Sequence, residues 1–396
     1  MNTIEIKPDI YWVGGIDWDI RNFHGYSTKR GTTYNAYLIV DEKITLVDTV
    51  KHYKFDEMIA RISEIIDPST IDYIISNHVE MDHSGSISKL LEICPNATVF
   101  TSSRGLKGLK RHYKKDWNFK VVKSKDSLNI GKRTLEFVEI PMVHWPDSMV
   151  TYIPSEKLLL PNDAFGQHIA SSERFDDEID WGILKEETEK YYSNIVMPYG
   201  SQVEKALEVL SSLDIDMIAP SHGIIWKTHI PKIVKEYQKW AAYETDEKAV
   251  IIYDSMWGST EKIAYSLWEG IRETGISVAM RNLQHNHISD IITDVNSSKL
   301  VCIGSPTLNN TMLPTIGGFL TYLKGLRPQK RVGFVFGSYG WGGQAAGEIE
   351  TIMKDLSWDI PIEKNNINYI PDEKDLNEIK NIGIKLGKYI RNKKKE

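Results

Sequence analysis

The alternation of apolar and polar positions changes character partway along the chain. In the first part, short apolar runs such as "IYWVGG", "TYNAYLIV" and "ITLVDTV" are separated by a few polar residues. The triplet "DEK" between the second and third predicts a hairpin. Strand-like and helix-like stretches then take turns: "DYIIS", "ISKLLEIC", "ATVFTS", "TLEFVEI". This mixture predicts an α/β sandwich with some antiparallel pairing. A helical stretch, "PKIVKEYQKWAAYE", and the polar "TDEK" close this part. Beyond it, "AVIIYDS", "SVAMRNL", "KLVCIGSP" and "RVGFVFGSYG" read as continuously apolar strands. Amphipathic helical stretches such as "TEKIAYSLWEGIRETG" lie between them. Buried strands alternating with helices predict a parallel, doubly wound sheet. The change places two domains at 1–247 and 248–396, with no internal repeat or low-complexity segment.

Composition adds exclusions. At 41% hydrophobic and 26% charged, the 396 residues are ordinary for a globular protein, and a formal charge of -6 gives no reason to expect nucleic acid. The basic end "RNKKKE" reads as a solvated tail. No run is long and apolar enough to span a bilayer, and the first ten residues lack the apolar core of a signal peptide; the expected location is cytoplasmic. Cys94 and Cys302 are the two cysteines, with no C-x-x-C. They are expected as small buried hydrophobes, and their number excludes a disulfide scaffold or a four-thiolate metal site. Electrons handled by this chain must therefore come from a separate donor.

The stretch "SNHVEMDHSG" packs His78, Glu80, Asp82 and His83 into six positions directly after an apolar strand. Three more strand-like runs end in comparable loops: "EIPMVHWPDS" with His144, "LLLPNDAFG" with Asp163 and "MIAPSHG" with His222. Ligands of α/β folds gather at the carboxyl ends of strands, so these loops are expected to share one cleft. Seven donors are too many for one ion with an open position and suit two metals bridged by a carboxylate. In the later part, "YDSMWGSTEK" follows a buried strand and opens a helix. There Ser255, Gly258, Ser259 and Thr260 are suited to cradle one terminal phosphate. Neither G-x-G-x-x-G nor a P-loop lysine is present. "IGSPTLNN" and "FGSYGWGGQ" bring Gly, Ser, Asn and two aromatics, Tyr339 and Trp341, to the same rim.

These motifs resemble known families. The first part resembles the metallo-β-lactamase superfamily, whose hallmark is H-x-H-x-D-H, except that Glu80 stands where the hydrolases carry the second histidine. That replacement, with "HWPDSM", "NDAFGQH" and a following flavodoxin-like part, resembles the flavodiiron proteins (A-type flavoproteins) over essentially the whole chain. The resemblance implies an αββα sandwich followed by a flavodoxin-like doubly wound sheet. It also implies two irons, one held by His78, Glu80 and His144, the other by Asp82, His83 and His222, with Asp163 bridging. Family members differ in whether the histidine matching His83 faces the metal. The resemblance further implies His24 and His168 beside the pocket as hydrogen-bond donors or supporting groups. FMN is implied among three loops: Ser255, Met256, Trp257, Gly258, Ser259 and Thr260; Pro306, Thr307, Leu308 and Asn309; and Ser338, Tyr339, Gly340, Trp341, Gly342 and Gly343. Trp257 departs from the usual threonine of the phosphate loop. The extra carboxylate at Glu80 agrees with iron, because zinc has no redox chemistry and favours imidazole and thiolate, whereas a harder, more anionic pocket suits ferric iron.

The implied activity is reduction of dioxygen to water or of nitric oxide to nitrous oxide. FMN would relay electrons from rubredoxin or another external donor, in a head-to-tail homodimer or a dimer of dimers. The alternatives are a reduced-deazaflavin-dependent oxygen reductase of the same family, a zinc hydrolase with a flavodoxin module, and a non-enzymatic electron carrier on a metal-free scaffold.

Overall fold

The computed structural model describes residues 3–393; Met1, Asn2 and the Lys394, Lys395 and Glu396 of the basic end lie outside the described residues. The described chain forms two compact units. The first gathers residues 3–24, 28–192 and 201–238, the second residues 25–27, 193–200 and 239–393.

In the first unit a seven-stranded sheet runs in the order Ile4–Lys7, Ile10–Trp12, Tyr37–Ile39, Thr45–Val47, Tyr73–Ile75, Thr98–Thr101, Phe119–Val121. Tyr37–Ile39 and Thr45–Val47 are antiparallel neighbours, so "DEK" does turn a hairpin. A second, five-stranded sheet is ordered Ser127–Asn129, Thr134–Glu139, Met149–Ile153, Leu158–Leu160, Met217–Ile218. Successive side chains of a strand face opposite ways, and the packing follows that alternation. Tyr37, Ile39, Val47, Ile75 and Phe100 face the other sheet and pack with Leu135, Phe137, Met149, Leu158 and Leu160. Leu38, Leu46, Ile74 and Val99 face the opposite side and pack with Phe55, Met58, Ile62, Leu90 and Leu109, which lie on helices. The central strands Tyr37–Ile39, Thr45–Val47 and Tyr73–Ile75 are therefore covered on both faces, which is why they fall in apolar runs.

The second unit holds a sheet ordered Ser277–Asn282, Asp246–Tyr253, Ser298–Leu308, Val332–Tyr339, Asn365–Asn368, with every neighbouring pair parallel. By sequence that is the 2-1-3-4-5 order of a doubly wound sheet. Ile251, Leu300, Cys302, Phe334 and Phe336 form its core with Ile263, Leu267 and Ile271 of the helix Ser259–Glu273 and with Ile379 and Leu386 of Glu373–Asn392. Cys94 and Cys302 are both free and buried, as their isolation in the sequence implies. Among the described residues, no helix is long and apolar enough to cross a membrane.

Candidate metal centre and flavin cradle

Four strand ends of the first unit deliver the donors. Tyr73–Ile75 leads to His78 and Glu80, and the one-turn helix Met81–Ser84 presents Asp82 and His83. Thr134–Glu139 leads to the loop bearing His144, Leu158–Leu160 to Asp163, and Met217–Ile218 to His222. The seven side chains converge as two groups, His78, Glu80, His144 and Asp163, and Asp82, His83 and His222, with each group's donor atoms within 4.8 Å of one another.

Asp163 joins them. Its Oδ2 lies 3.2 Å from His144 Nε2 and 3.7 Å from His78 Nε2, while its Oδ1 lies 3.0 Å from His83 Nε2 and 3.6 Å from His222 Nε2. Glu80 Oε2 completes the first group at 3.5 Å from His78 Nε2 and 3.4 Å from His144 Nε2. Asp82 Oδ2 completes the second at 3.1 Å from His222 Nε2 and 3.4 Å from His83 Nε2. In this chain the His83 ring is turned inward.

The electrostatics of the donor set suit a cation site. Burial opposes charge on His78, yet the hydrogen bond to Asp147 and the nearby Glu80 carboxylate hold its imidazole well above the usual range. Burial also works against His83, but Asp82 and Asp163 push it up to about 9. The same contacts act on the carboxylates. Against burial, the close contacts of His83 and His144 pull Asp163 well below its ordinary value, and those of His144 and His78 lower Glu80. The same contacts that favour protons on these imidazoles would favour a metal cation, whose binding releases protons. His78 Nε2, Asp82 Oδ1, both His83 nitrogens and Asp163 Oδ1 are buried without a hydrogen-bond partner. Such atoms cost about 1–3 kcal/mol each unless something satisfies them. An imidazole and carboxylate set with no thiolate fits a pair of irons.

Several supporting residues carry no ligand-like spacing and escape sequence reading. Asp147 Oδ2 accepts from His78 Nδ1 at 2.9 Å and from the Val79 N–H at 2.9 Å. The Thr33 carbonyl lies 2.7 Å from His222 Nδ1. Contacts of this kind fix tautomer and ring direction so that Nε2 faces the centre. Asp48 receives the Asn77 N–H at 2.8 Å and Asn162 Nδ2 at 3.2 Å, tying together the residues that directly precede His78 and Asp163. The one available sequence signal was Asp147, three residues after His144 inside "HWPDS".

His24 and His168 occupy different surroundings. The His24 side chain is 65% exposed, stacks on Phe23 at 4.5 Å, and holds Nδ1 3.5 Å from Glu80 Oε1. His168 is fully buried, with Nδ1 2.8 Å from Thr32 Oγ1 and its ring centroid 5.0 Å from that of His222. Burial, and next the neighbouring His222, hold it well below the usual imidazole range, so it is neutral.

In the second unit a cavity of about 640 Å³ opens at the carboxyl ends of the parallel strands. It is lined by Ser255, Met256, Trp257 and Ser259, by Pro306, Thr307, Leu308, Asn309 and Asn310, by Ser338, Tyr339, Gly340, Trp341 and Gly342, and by Tyr369 and Ile370. The three expected loops thus share one cavity, and Asn310, Tyr369 and Ile370 join them without having been expected. Gly258, Thr260 and Gly343 stand behind the lining. Gly258 has φ +82° with open space where a Cβ would go, and its N–H donates to Ser255 Oγ at 3.0 Å. Thr260 Oγ1 lies 2.9 Å from Ser338 Oγ, linking the first loop to the third. Thr307 Oγ1 is buried without a hydrogen-bond partner at the wall, and Trp257 and Trp341 stand 94% and 91% exposed at the mouth. A hydroxyl-rich, helix-N-terminal cradle flanked by free aromatic faces fits a phosphorylated planar ring.

Comparison with known proteins bears on both sites. Residues 32–223 match the family model described as "ODP family beta lactamase", and residues 251–382 match "Flavodoxin". The chain is 45% identical to a nitric oxide reductase of Moorella thermoacetica, covering 98% of each chain. It is 41% identical to a rubredoxin-oxygen oxidoreductase of Megalodesulfovibrio gigas, covering 99% of each. Its structure is similar to that of the flavodiiron protein from Giardia intestinalis, with a TM-score of 0.96 at 35% identity, over 98% of this chain and 96% of that one.

Proposed function

The chain belongs to the flavodiiron proteins, and from that premise we propose that it reduces dioxygen to water, nitric oxide to nitrous oxide, or both. It is an oxidoreductase of two irons and FMN; held at these residues, the irons would supply the chemistry that binds and reduces the gas, and the flavin would store the electrons. The observation that carries this reading is the division of Asp163, one oxygen facing each of two separate donor groups.

In this reading His78, Glu80 and His144 hold one iron, Asp82, His83 and His222 the other, and Asp163 both, with residues 1–247 as the metal domain and 248–396 as the flavin domain. Asp147 and the Thr33 carbonyl keep the His78 and His222 rings aimed inward. His24, exposed and hydrogen-bond capable beside Glu80, is placed to donate to bound substrate, and neutral His168 buttresses the second group. Burial of the donors keeps bulk water from the carboxylates, which strengthens every charge interaction inside. The flavin loops hold phosphate through Ser255, Gly258, Ser259 and Thr260 and flank the ring with Tyr339 and Trp341.

The chain lacks a thiolate iron site of its own, which supports an external donor, and the relatives' names favour rubredoxin over a reduced deazaflavin. We place the protein in the cytoplasm as a head-to-tail homodimer, alone or paired into a tetramer. Glu80 and the names of the relatives disfavour a zinc hydrolase. Purified protein is expected to contain about two irons and one FMN per chain, and the reduced protein, mixed anaerobically with either gas in a stopped-flow instrument, to be reoxidised. Zinc with little iron, or reoxidation by neither gas, contradicts the reading.

A further inference from the structure

The third loop of the cavity, residues 339–343, is held by the strand beside it. Asn365–Asn368 is the edge strand and pairs in parallel with Val332–Tyr339, so that Asn366 and Asn368 share one face while Ile367 points the other way into the core. Asn366 Nδ2 donates to the Gly343 carbonyl at 3.0 Å. Asn368 Nδ2 donates to the Gly340 carbonyl at 2.5 Å and to the Tyr339 carbonyl at 3.3 Å, which also accepts the Tyr369 N–H at 2.7 Å. The contact at the far end is close: a Cβ on Gly343 would lie 2.5 Å from Asn366 Nδ2, so a side chain there would push the Asn366 amide aside. Three carbonyls of the loop are thus drawn to the edge strand. The N–H groups of Gly340, Trp341 and Gly342, all cavity-lining residues, have no acceptor among the described residues.

We propose that Asn366 and Asn368 are positioning residues for the flavin. By clamping the loop's carbonyls away from the cavity, they leave its N–H groups to face the heteroatom edge of the ring, and so favour the reduced flavin over the oxidised one. The physical reason is that reduction adds electron density to the ring nitrogens and carbonyl oxygens. Preorganised N–H donors stabilise that density, whereas carbonyl oxygens would repel it. The inference rests on the FMN reading above, and deepens it by naming what sets the flavin's redox balance.

The test uses the full chain with Asn366→Leu and Asn368→Leu combined, Asn368→Ala as a milder variant should the pair fail to fold, and Asn365→Ala as a control on the opposite face. FMN affinity is read by flavin fluorescence and the flavin midpoint potential by anaerobic spectroelectrochemical titration. The double variant is expected to bind oxidised FMN roughly tenfold more weakly, about 1.4 kcal/mol. The reduced flavin weakens more, which is a negative shift of the midpoint potential, and Asn365→Ala matches wild type. A potential that stays put while affinity falls overturns the proposal, because a merely structural strand would weaken both redox forms alike. Equal effects from Asn365→Ala, or no effect from any variant, overturn it too. Wild-type chain that takes up no FMN overturns both the clamp and the flavin reading, whereas FMN uptake with unchanged variants sinks the clamp alone.

Discussion

The metal pocket and the flavin cavity are built on opposite plans. The pocket is assembled from side chains: seven donors from four strand ends, all buried or nearly so, several steered from behind by Asp147, the Thr33 carbonyl and the Asp48 hub. The cavity is assembled from Ser, Thr, Asn and Gly residues together with larger apolar and aromatic side chains at the ends of three neighbouring strands, with its two tryptophans exposed. One site must hold small, highly charged ions against displacement by protons, which takes charge, burial and fixed ring directions. The other must hold a large planar group that exchanges electrons with an outside donor, which takes surface and access. The two sites should therefore respond independently to substitution and differ in how far one side chain matters.

The largest effect is expected at the shared carboxylate. Asp163→Asn should abolish gas reduction and reduce bound iron to well under half of wild type, with FMN content and flavin reduction by the donor unchanged. Iron and flavin analysis with an oxygen electrode check this; parallel loss of both cofactors would erase the proposed independence. Next, Asp147→Asn keeps the size of the side chain but removes the negative charge of the group that accepts from His78 Nδ1. It should lower iron affinity by about 10–100-fold, measured by competition with a chelator, again with FMN unaffected. On the flavin side, Trp341→Ala should weaken FMN about 2–10-fold, the range expected for an aromatic pair worth 0.5–1.5 kcal/mol, and leave iron content at wild type. The smallest effect concerns the two cysteines, one in each unit. Burial pushes the Cys94 thiol up to about 11 and Cys302 higher still. Neither should react with a thiol reagent in the native protein near pH 8, and both should after denaturation. Under mild denaturant, the thiol that reacts first reports which unit opens first.

Much of the metal centre was legible because its donors are chemically distinctive and stand in loops directly after apolar strands. "HVEMDH" needs no partner sequence to look like a ligand set. The doubly wound sheet was legible for a similar reason, since strands buried on both faces show as continuous apolar runs between amphipathic helices. The supporting contacts were not. Asp48 precedes Asn77 by 29 positions and Asn162 by 114, and nothing in "LVDTV" marks that aspartate as the tie between two ligand loops. Tyr369, Ile370 and the asparagines of "NNIN" likewise carry no spacing that marks them as belonging to the cavity.

Residue order alone determined which atoms are offered: the imidazoles and carboxylates, the replacement of a histidine by Glu80, the Ser, Thr and Gly of the phosphate loop, and the absence of a thiolate cluster. Tertiary structure decided which way those atoms face. It turned His83 inward, split Asp163 between two groups, kept His168 neutral beside His222, and pinned the carbonyls of residues 339, 340 and 343 to the edge strand. The reason is physical. Donor identity is a local, covalent property, whereas ring direction, protonation and peptide orientation are set by contacts between segments far apart in the chain, and those contacts exist only once the sheets have packed.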